Sequence, residues 1–368
     1  MKKYIWQCDE YPNFTYNKEE ILTLLSEVKL KQGFLLGKMA NLGFKDSKKT
    51  VLYVISEDVI KSSEIEGLKL NEEQVRSSIA KKLGIEYGGE IYIERDVEGI
   101  VDMMLDATQN YNNVMSEERL FGWQSAMFPG GYSGLSKIKT GQYRDDKNGA
   151  MQVVSGAIGK ETVHYEAPPS DLLNKEMAQL INFINNETNI DLIIKAGIVH
   201  LWFVIIHPFE DGNGRIARAL TDMLLAKSEN SSNRYYSMSS QIKLNKKSYY
   251  NALEITQKGS TDITAWLKWF LENLLQAIEN SDILLEKVLK KLEFWQIHRD
   301  VLFNERQQKM LTKLWDDFEG KLNTSKWAKM CSCSQDTAMR DINDLVLKNI
   351  LQKQGEGRST HYILKDII

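Results

Sequence analysis

Leu192–Ile206 is a long, nearly all-apolar run, interrupted only by Lys195 and His200. Its length favours a buried helix over a strand. No alternating series of strands and helices surrounds it. Directly after it, residues 207–218 read HPFEDGNGRIAR. That segment brings together a base, a carboxylate, a glycine-rich turn and two arginines. These are the parts needed to hold a nucleotide's phosphates and move a proton beside them.

Each part has its own chemistry. An imidazole such as His207 accepts a proton from a hydroxyl near neutral pH. Asp211 offers hard oxygen ligands suited to Mg2+, which binds one or two carboxylates plus substrate phosphates. Gly212-Asn213-Gly214 lets the backbone turn tightly and aim N–H groups at an anion. Ile216, Leu220, Met223 and Leu224 follow at helical spacing. A helix starting near Arg215 would point its positive dipole end at the loop. Arg215 and Arg218 then share one face of its first turn. Cations oppose the dipole there, and bound polyphosphate would explain them. Residues 212–217 also fit the dinucleotide pattern G-x-G-x-x-A. That reading requires a strand before the loop and a repeated βαβ unit, and the helical length of Leu192–Ile206 opposes it.

The segment resembles the H-P-F-x-[DE]-G-N-G-R-x-x-R signature of the Fic family, with every specified position present. The resemblance implies a mainly α fold: a Fic-type helical core with a small β-hairpin flap. It also implies transfer of AMP from ATP to a protein hydroxyl on Ser, Thr or Tyr, of a target protein or of the chain itself. Carried over by position, His207 would be the general base and Asp211 the ligand of Mg2+ or Mn2+. Gly212, Asn213 and Gly214 would form the anion hole, and Arg215 and Arg218 would hold the outer phosphates.

A second pattern lies upstream. Lys48–Glu66 has helical spacing and stops at Gly67, a natural residue just past a helix end. Ser62-Ser63-Glu64-Ile65-Glu66-Gly67 matches S-x-x-x-E-G. A carboxylate at Glu66 opposes the dipole of its own helix unless a cation faces it. In the company of 207–218 this resembles the Fic inhibitory helix, with Ser62, Glu66 and Gly67 as its motif. That resemblance implies that Glu66 pairs with Arg218 and blocks the seat of the ATP γ-phosphate. The β-prone pieces Ala150–Val154 and Thr162–Tyr165 flank Gly156 and Gly159 and predict a hairpin. It resembles the family's target-docking flap, with Val153, Val154, Ser155 and Gly156 along it. Tyr249 and Tyr250 resemble a tyrosine pair that stacks near the nucleotide base; a place in the core is the competing reading.

Organisation and compartment follow from simpler patterns. The expected divisions are an N-terminal helical region at 1–95, with its inhibitory helix at about 48–66, a catalytic core at 96–275, a connecting helix at 276–305 and a C-terminal domain at 306–368. Within the first of these, Glu19–Leu42 reads as a helix, and 84–92 reads as a glycine-rich loop. Further on, Asp96–Tyr111 reads as a helix, as does the stretch from Pro168 to Ile184, and 129–136 reads as loop. Trp266–Phe270 and Asp282–Phe303 read as separate helices. The C-terminal domain, three helices and a hairpin, resembles a winged helix-turn-helix, with Thr324-Ser325 and Ser334 as helix caps. Over 306–368 eleven Lys and Arg against eight Asp and Glu leave +3. That is a weak footprint for DNA, and Asp336, Asp341 and Asp344 on the candidate recognition helix count against it. Protein docking or homodimer support is an equal expectation for this domain.

The whole chain carries −3, so no global basic field points to nucleic acid. Three cysteines, two of them in Cys331-Ser332-Cys333, give neither a disulfide framework nor zinc spacing. With no secretory apolar segment near the N-terminus and no membrane span, the expectation is a cytoplasmic protein. Two alternatives stand beside AMP transfer. One is removal of AMP by the same site, with Glu66 positioning or activating water. The other is a DNA-binding regulator whose nucleotide site is sensory.

Overall fold

The structure, a computed structural model, describes residues 3–40, 44–85, 91–147, 149–156, 160, 162–315, 318 and 320–365. Leu42 and Gly159, named above, and residues 86–90 of the expected 84–92 loop lie outside the described residues. Two compact units divide between Ser281 and Asp282.

In the first unit the chain order is α1 (Lys18–Ala40), α2 (Phe44–Ile65), α3 (Glu72–Leu83), α4 (Arg95–Gln109) and α5 (Glu117–Met127). Two antiparallel hairpins follow, β1 (Tyr132–Ser133) with β2 (Ser136–Lys137) and β3 (Gln152–Ser155) with β4 (Thr162–Glu166). Next come α6 (Leu173–Asn186), α7 (Leu192–Ile206), α8 (Asn213–Glu229), α9 (Met238–Leu244) and α10 (Lys246–Gln257). Finally α11 (Thr264–Ile297) runs past the end of the unit.

The apolar run forms α7, buried at every residue from Ile193 to Ile206. It packs against α6 and α8, and α8 packs in turn against α4. Each fully buried aliphatic side chain contributes about 1.5–3 kcal/mol. The two polar breaks are both satisfied. Lys195 donates to the Glu187 carbonyl at 2.6 Å. His200 bridges Thr221 and Tyr249, each at 2.9 Å.

α2 buries Val51, Leu52, Val54, Ile55, Val59 and Ile60. It ends because Gly67 turns left-handed at φ +84. Leu68 N–H returns to Ser63 O at 3.0 Å and Gly67 N–H to Glu64 O at 3.1 Å. This pair of bonds is a Schellman stop, and it leaves Glu66 as the last residue before the turn.

Several boundaries differ from the sequence reading. α3 and α5 carry too few apolar residues to stand out. α3 buries Val75 and Ile79 beside Ser78 and Ala80; α5 buries Leu120, Trp123 and Met127. The loop expected at 129–136 contains the short β1–β2 ladder. Trp266–Phe270 and Asp282–Ile297 belong to one helix, because no Gly or Pro interrupts 264–297.

The second unit builds its core from Phe294, Met310, Leu311, Trp327, Ile342 and Leu345 among others. Its elements are α12 (Glu305–Trp315), α13 (Thr324–Cys331), α14 (Gln335–Leu347) and the hairpin β5 (Leu351–Gln354) with β6 (His361–Leu364). Asn323, not Thr324 or Ser325, caps α13 by accepting from Lys326 N at 2.8 Å. Ser334 caps α14. Asp341 is turned inward, and Asp344 is half-exposed but paired. Asp341 is buried and takes both guanidinium arms of Arg306, at 2.6 and 3.0 Å. Asp344 accepts from Gln307 at 2.8 Å and Lys348 at 2.6 Å. Of the three acids named against DNA, Asp336 is exposed, Asp344 half-exposed and Asp341 buried. Among the described residues no helix is long and apolar enough to cross a membrane.

Candidate active site

His207 sits where α7 stops, in a left-handed conformation at φ 50 and ψ 58. Its Nδ1 lies 3.4 Å from Val204 O. A carbonyl only accepts, so the proton belongs on Nδ1 and Nε2 keeps its lone pair. Desolvation is the main cause pushing the imidazole down to about 4. The Arg144 charge pushes the same way, while the Val204 contact, Glu66 and Asp211 oppose it. The ring is therefore neutral at pH 7, the form a general base needs.

The turn after it is held by Asn213. Its side chain donates to Phe209 O at 2.7 Å and accepts from Phe209 N at 3.0 Å. That buried amide builds the loop, so Asn213 offers an anion its backbone N–H alone. Gly212 has φ +91, and a Cβ there would come within 2.8 Å of Met127 Cε. α8 starts at Asn213, two residues before Arg215. Its first intrahelical bond runs from Ile216 N to Gly212 O. The N–H groups of Asn213, Gly214 and Arg215 consequently have no helical acceptor. No side chain caps this end, and its first turn contains no acid.

The missing carboxylate comes from α2. Arg218 is buried; it donates to Ser62 Oγ at 2.8 Å, Ser62 O at 3.0 Å and Glu66 Oε1 at 2.7 Å. Burial is the largest single influence and disfavours the Arg218 charge, but Glu66, Tyr249 and Tyr250 together outweigh it, so the guanidinium pKa is raised. One Arg218 nitrogen, Nη1, has no hydrogen-bond partner among the described residues. Arg215 is also buried, stacked 5.0 Å from the centroid of the Phe128 ring, with its Nε unpartnered. Unpaired buried guanidinium donors are costly unless an anion reaches them. A cavity of about 540 Å³ opens beside them, lined by Glu66, Phe128, Tyr132, Ser133, Asp211 and Arg215 among others.

Asp211 accepts from Gly212 N at 2.5 Å and from Ser133 Oγ. Among the described residues no cluster of three or more His, Cys, Asp or Glu could hold a metal. A lone carboxylate on a cavity fits Mg2+ brought by substrate phosphates rather than a protein-built cage. Ser133 was not singled out in the sequence, because it lies in a glycine-rich stretch without a motif.

The tyrosines separate. Thr221 gives its own proton to Ala217 O. It therefore accepts from His200 Nδ1–H, and His200 Nε2 accepts from Tyr249. His200 is correspondingly pushed down to about 3, by desolvation first and the Arg218 charge second. Tyr249 is thus a buried core residue, and only Tyr250 keeps an exposed ring face. The Tyr250 hydroxyl lies 3.4 Å from Ile65 O, at the end of α2. In the hairpin, Val153 pairs with Tyr165 and Val154 with Val163, with a bulge between them. Tyr165 is buried and donates to Ile205 O at 2.8 Å, fastening β4 to the end of α7. Val154, Ser155 and Gly156 are exposed. Ser155 Oγ lies 2.6 Å from His164 Nε2, and His164 Nδ1 lies 3.0 Å from Glu254 on α10.

Residues 4–85 match a domain of unknown function, DUF4172. Residues 304–365 match the C-terminal domain of a DIP2311-like transcriptional regulator. A probable protein adenylyltransferase of Aquifex aeolicus is 26% identical over 176 residues, 47% of this chain and 48% of the relative. A protein adenylyltransferase of Caenorhabditis briggsae is 38% identical over 56 residues, 15% of this chain and 11% of the relative. The chain thus spans about half the length of the first relative and about a tenth of the second. A Fic family protein from Desulfovibrio desulfuricans shares the fold, with TM-score 0.54 and 20% identity over 96% of this chain and 98% of that one. The match to the Fic/DOC family covers residues 114–225, from the start of α5 through the His207 turn into α8; this part of the chain is a Fic/DOC family domain.

Proposed function

We propose that the chain is a self-inhibited protein adenylyltransferase that transfers AMP from ATP to a protein hydroxyl. The carrying observation is Arg218, held by Ser62 and Glu66 with one nitrogen unpartnered, beside an uncapped helix end. A cation so placed suits the terminal phosphate of ATP, and Glu66 occupies it instead. The N–H groups of Asn213, Gly214 and Arg215 and the guanidinium of Arg215 face the same anion. Asp211 would hold Mg2+, which supplies charge neutralisation of the phosphates when bound. Tyr250 offers the ring face for the base.

In the transfer, His207 Nε2 takes the proton of the target hydroxyl. The hydroxyl oxygen bonds to the α-phosphorus, the bond to the bridging oxygen breaks, and pyrophosphate leaves. Positioning and electrostatics supply most of the rate in such transfers. The exposed edge of β3 suits an extended target segment that adds as a strand.

Labelled AMP transfer to protein tests this. Glu66→Gly should label protein more than wild type, and Glu66→Gly with His207→Ala should not label it. Equal labelling of wild type and Glu66→Gly rejects self-inhibition. No labelling of the target protein by any form rejects the transfer itself.

A further inference from the structure

We propose that Arg144 is the positioning residue that fixes His207 in its left-handed turn. Arg144 lies on the segment between the two hairpins of the first unit and is 3% exposed. Its Nε donates to His207 O at 2.8 Å. Its Nη2 donates to Pro168 O at 2.6 Å and approaches Ile206 O at 3.5 Å. Its backbone N–H donates to Pro208 O at 2.9 Å. Asp146 holds Nη1 at 2.7 Å and also accepts from Ser170 N at 2.5 Å.

The consequence is a chain of satisfied carbonyls. Phe203 O takes His207 N–H, Val204 O faces His207 Nδ1, Ile205 O takes the Tyr165 hydroxyl, and Arg144 takes the next two. Pro208 O receives the Arg144 backbone N–H. A helix end leaves its last carbonyls without intrahelical donors. A non-glycine residue at positive φ persists only where its surroundings determine it. One buried guanidinium meets both needs, and its charge also complements the negative end of the α7 dipole. The planar fork matters, because an ammonium cannot serve carbonyls on two separate segments in this way. Arg144, Glu66 and Asp211 are the charged groups facing His207, and among them Arg144 disfavours the imidazolium.

This deepens the proposed function, on which the role of His207 as base rests. The test has an arm independent of transfer. His207 is titrated by NMR in nucleotide-free, metal-free protein, its signal assigned by its loss in His207→Gln. Arg144→Gln should raise the His207 pKa by about one unit. Arg144→Lys, which keeps the charge, should raise it less. In the Glu66→Gly background, both variants should lower kcat for AMP transfer about 10- to 100-fold, with the KM for ATP within twofold. An unmoved His207 titration in Arg144→Gln overturns the proposal. If Arg144→Gln does not fold, Arg144→Lys decides: a kcat loss at constant KM supports the proposal and an unchanged kcat overturns it. If the protein transfers no AMP in any form, the functional reading fails while the titration still decides the role of Arg144.

Discussion

Gly214 turns its bare Cα toward Glu66: a methyl group built there would lie 2.1 Å from Glu66 Oε1 and 3.2 Å from Arg218 Nη1. The Glu66 carboxylate therefore occupies the space in front of the first turn of α8. A side chain at 214 obliges the Glu66 carboxylate to shift from its place beside Arg218. Gly214→Ala should destabilise the wild-type protein more than it destabilises Glu66→Gly. A double-mutant cycle read by urea unfolding should give a coupling of about 1 kcal/mol. Strict additivity would place Glu66 elsewhere.

Arg234 stands fully buried between Asp222 at 3.1 Å and Glu229 at 3.0 Å, with Asp58 of α2 among the charges that face it. One cation serves these acids, and the cluster ties α2 to α8. Arg234→Met leaves the carboxylates unpaired and should cost about 3–5 kcal/mol. Asp58→Asn imitates the protonated acid and should cost far less. Equal losses in urea unfolding would contradict this account.

The same cluster sets a pH dependence. Desolvation lifts Asp222 to about 6 and raises Asp58 well above the ordinary aspartate range. The folded state then binds more protons than the unfolded state between the ordinary value and the raised one. Stability from these groups is present below that window and is lost as pH rises through it. Asp222→Asn should therefore remove a downward slope between about pH 4 and 6, seen as the wild-type minus variant difference in unfolding free energy. A difference that rises with pH would reverse the sign.

The Ser155–His164–Glu254 chain links both strands of the exposed hairpin to α10. His164→Ala should raise KM for the protein target several-fold and leave KM for ATP unchanged. A matching rise in both would show that the hairpin serves the nucleotide rather than the target.

Much of the site was legible because its residues are contiguous. α7, the His207 turn and the helix after Gly212 can be read from one unbroken stretch. Glu66 was legible because a carboxylate before a helix-ending glycine opposes its own dipole. Arg144, Ser133 and Tyr165 were not, since their partners are backbone carbonyls and a carboxylate far away in sequence. Tyr249 was misplaced for the opposite reason: its side chain turns into the protein, to His200, which no local pattern reveals. In the second unit, Asp341 reads as an outward charge in sequence, but it is buried against Arg306. α3 and α5 passed unread because small or polar residues fill much of the face they bury.

The proposed function rests on competition between Glu66 and the terminal phosphate of ATP for Arg218. Calorimetric titration of ATP into wild type, Glu66→Gly, Arg218→Ala and the double variant measures it. Glu66→Gly should bind ATP about tenfold more tightly or better, a gain of about 1.4 kcal/mol. That gain should vanish when Arg218 is absent. Equal ATP affinity in wild type and Glu66→Gly, or a gain that survives the loss of Arg218, would show that the two do not compete for this cation.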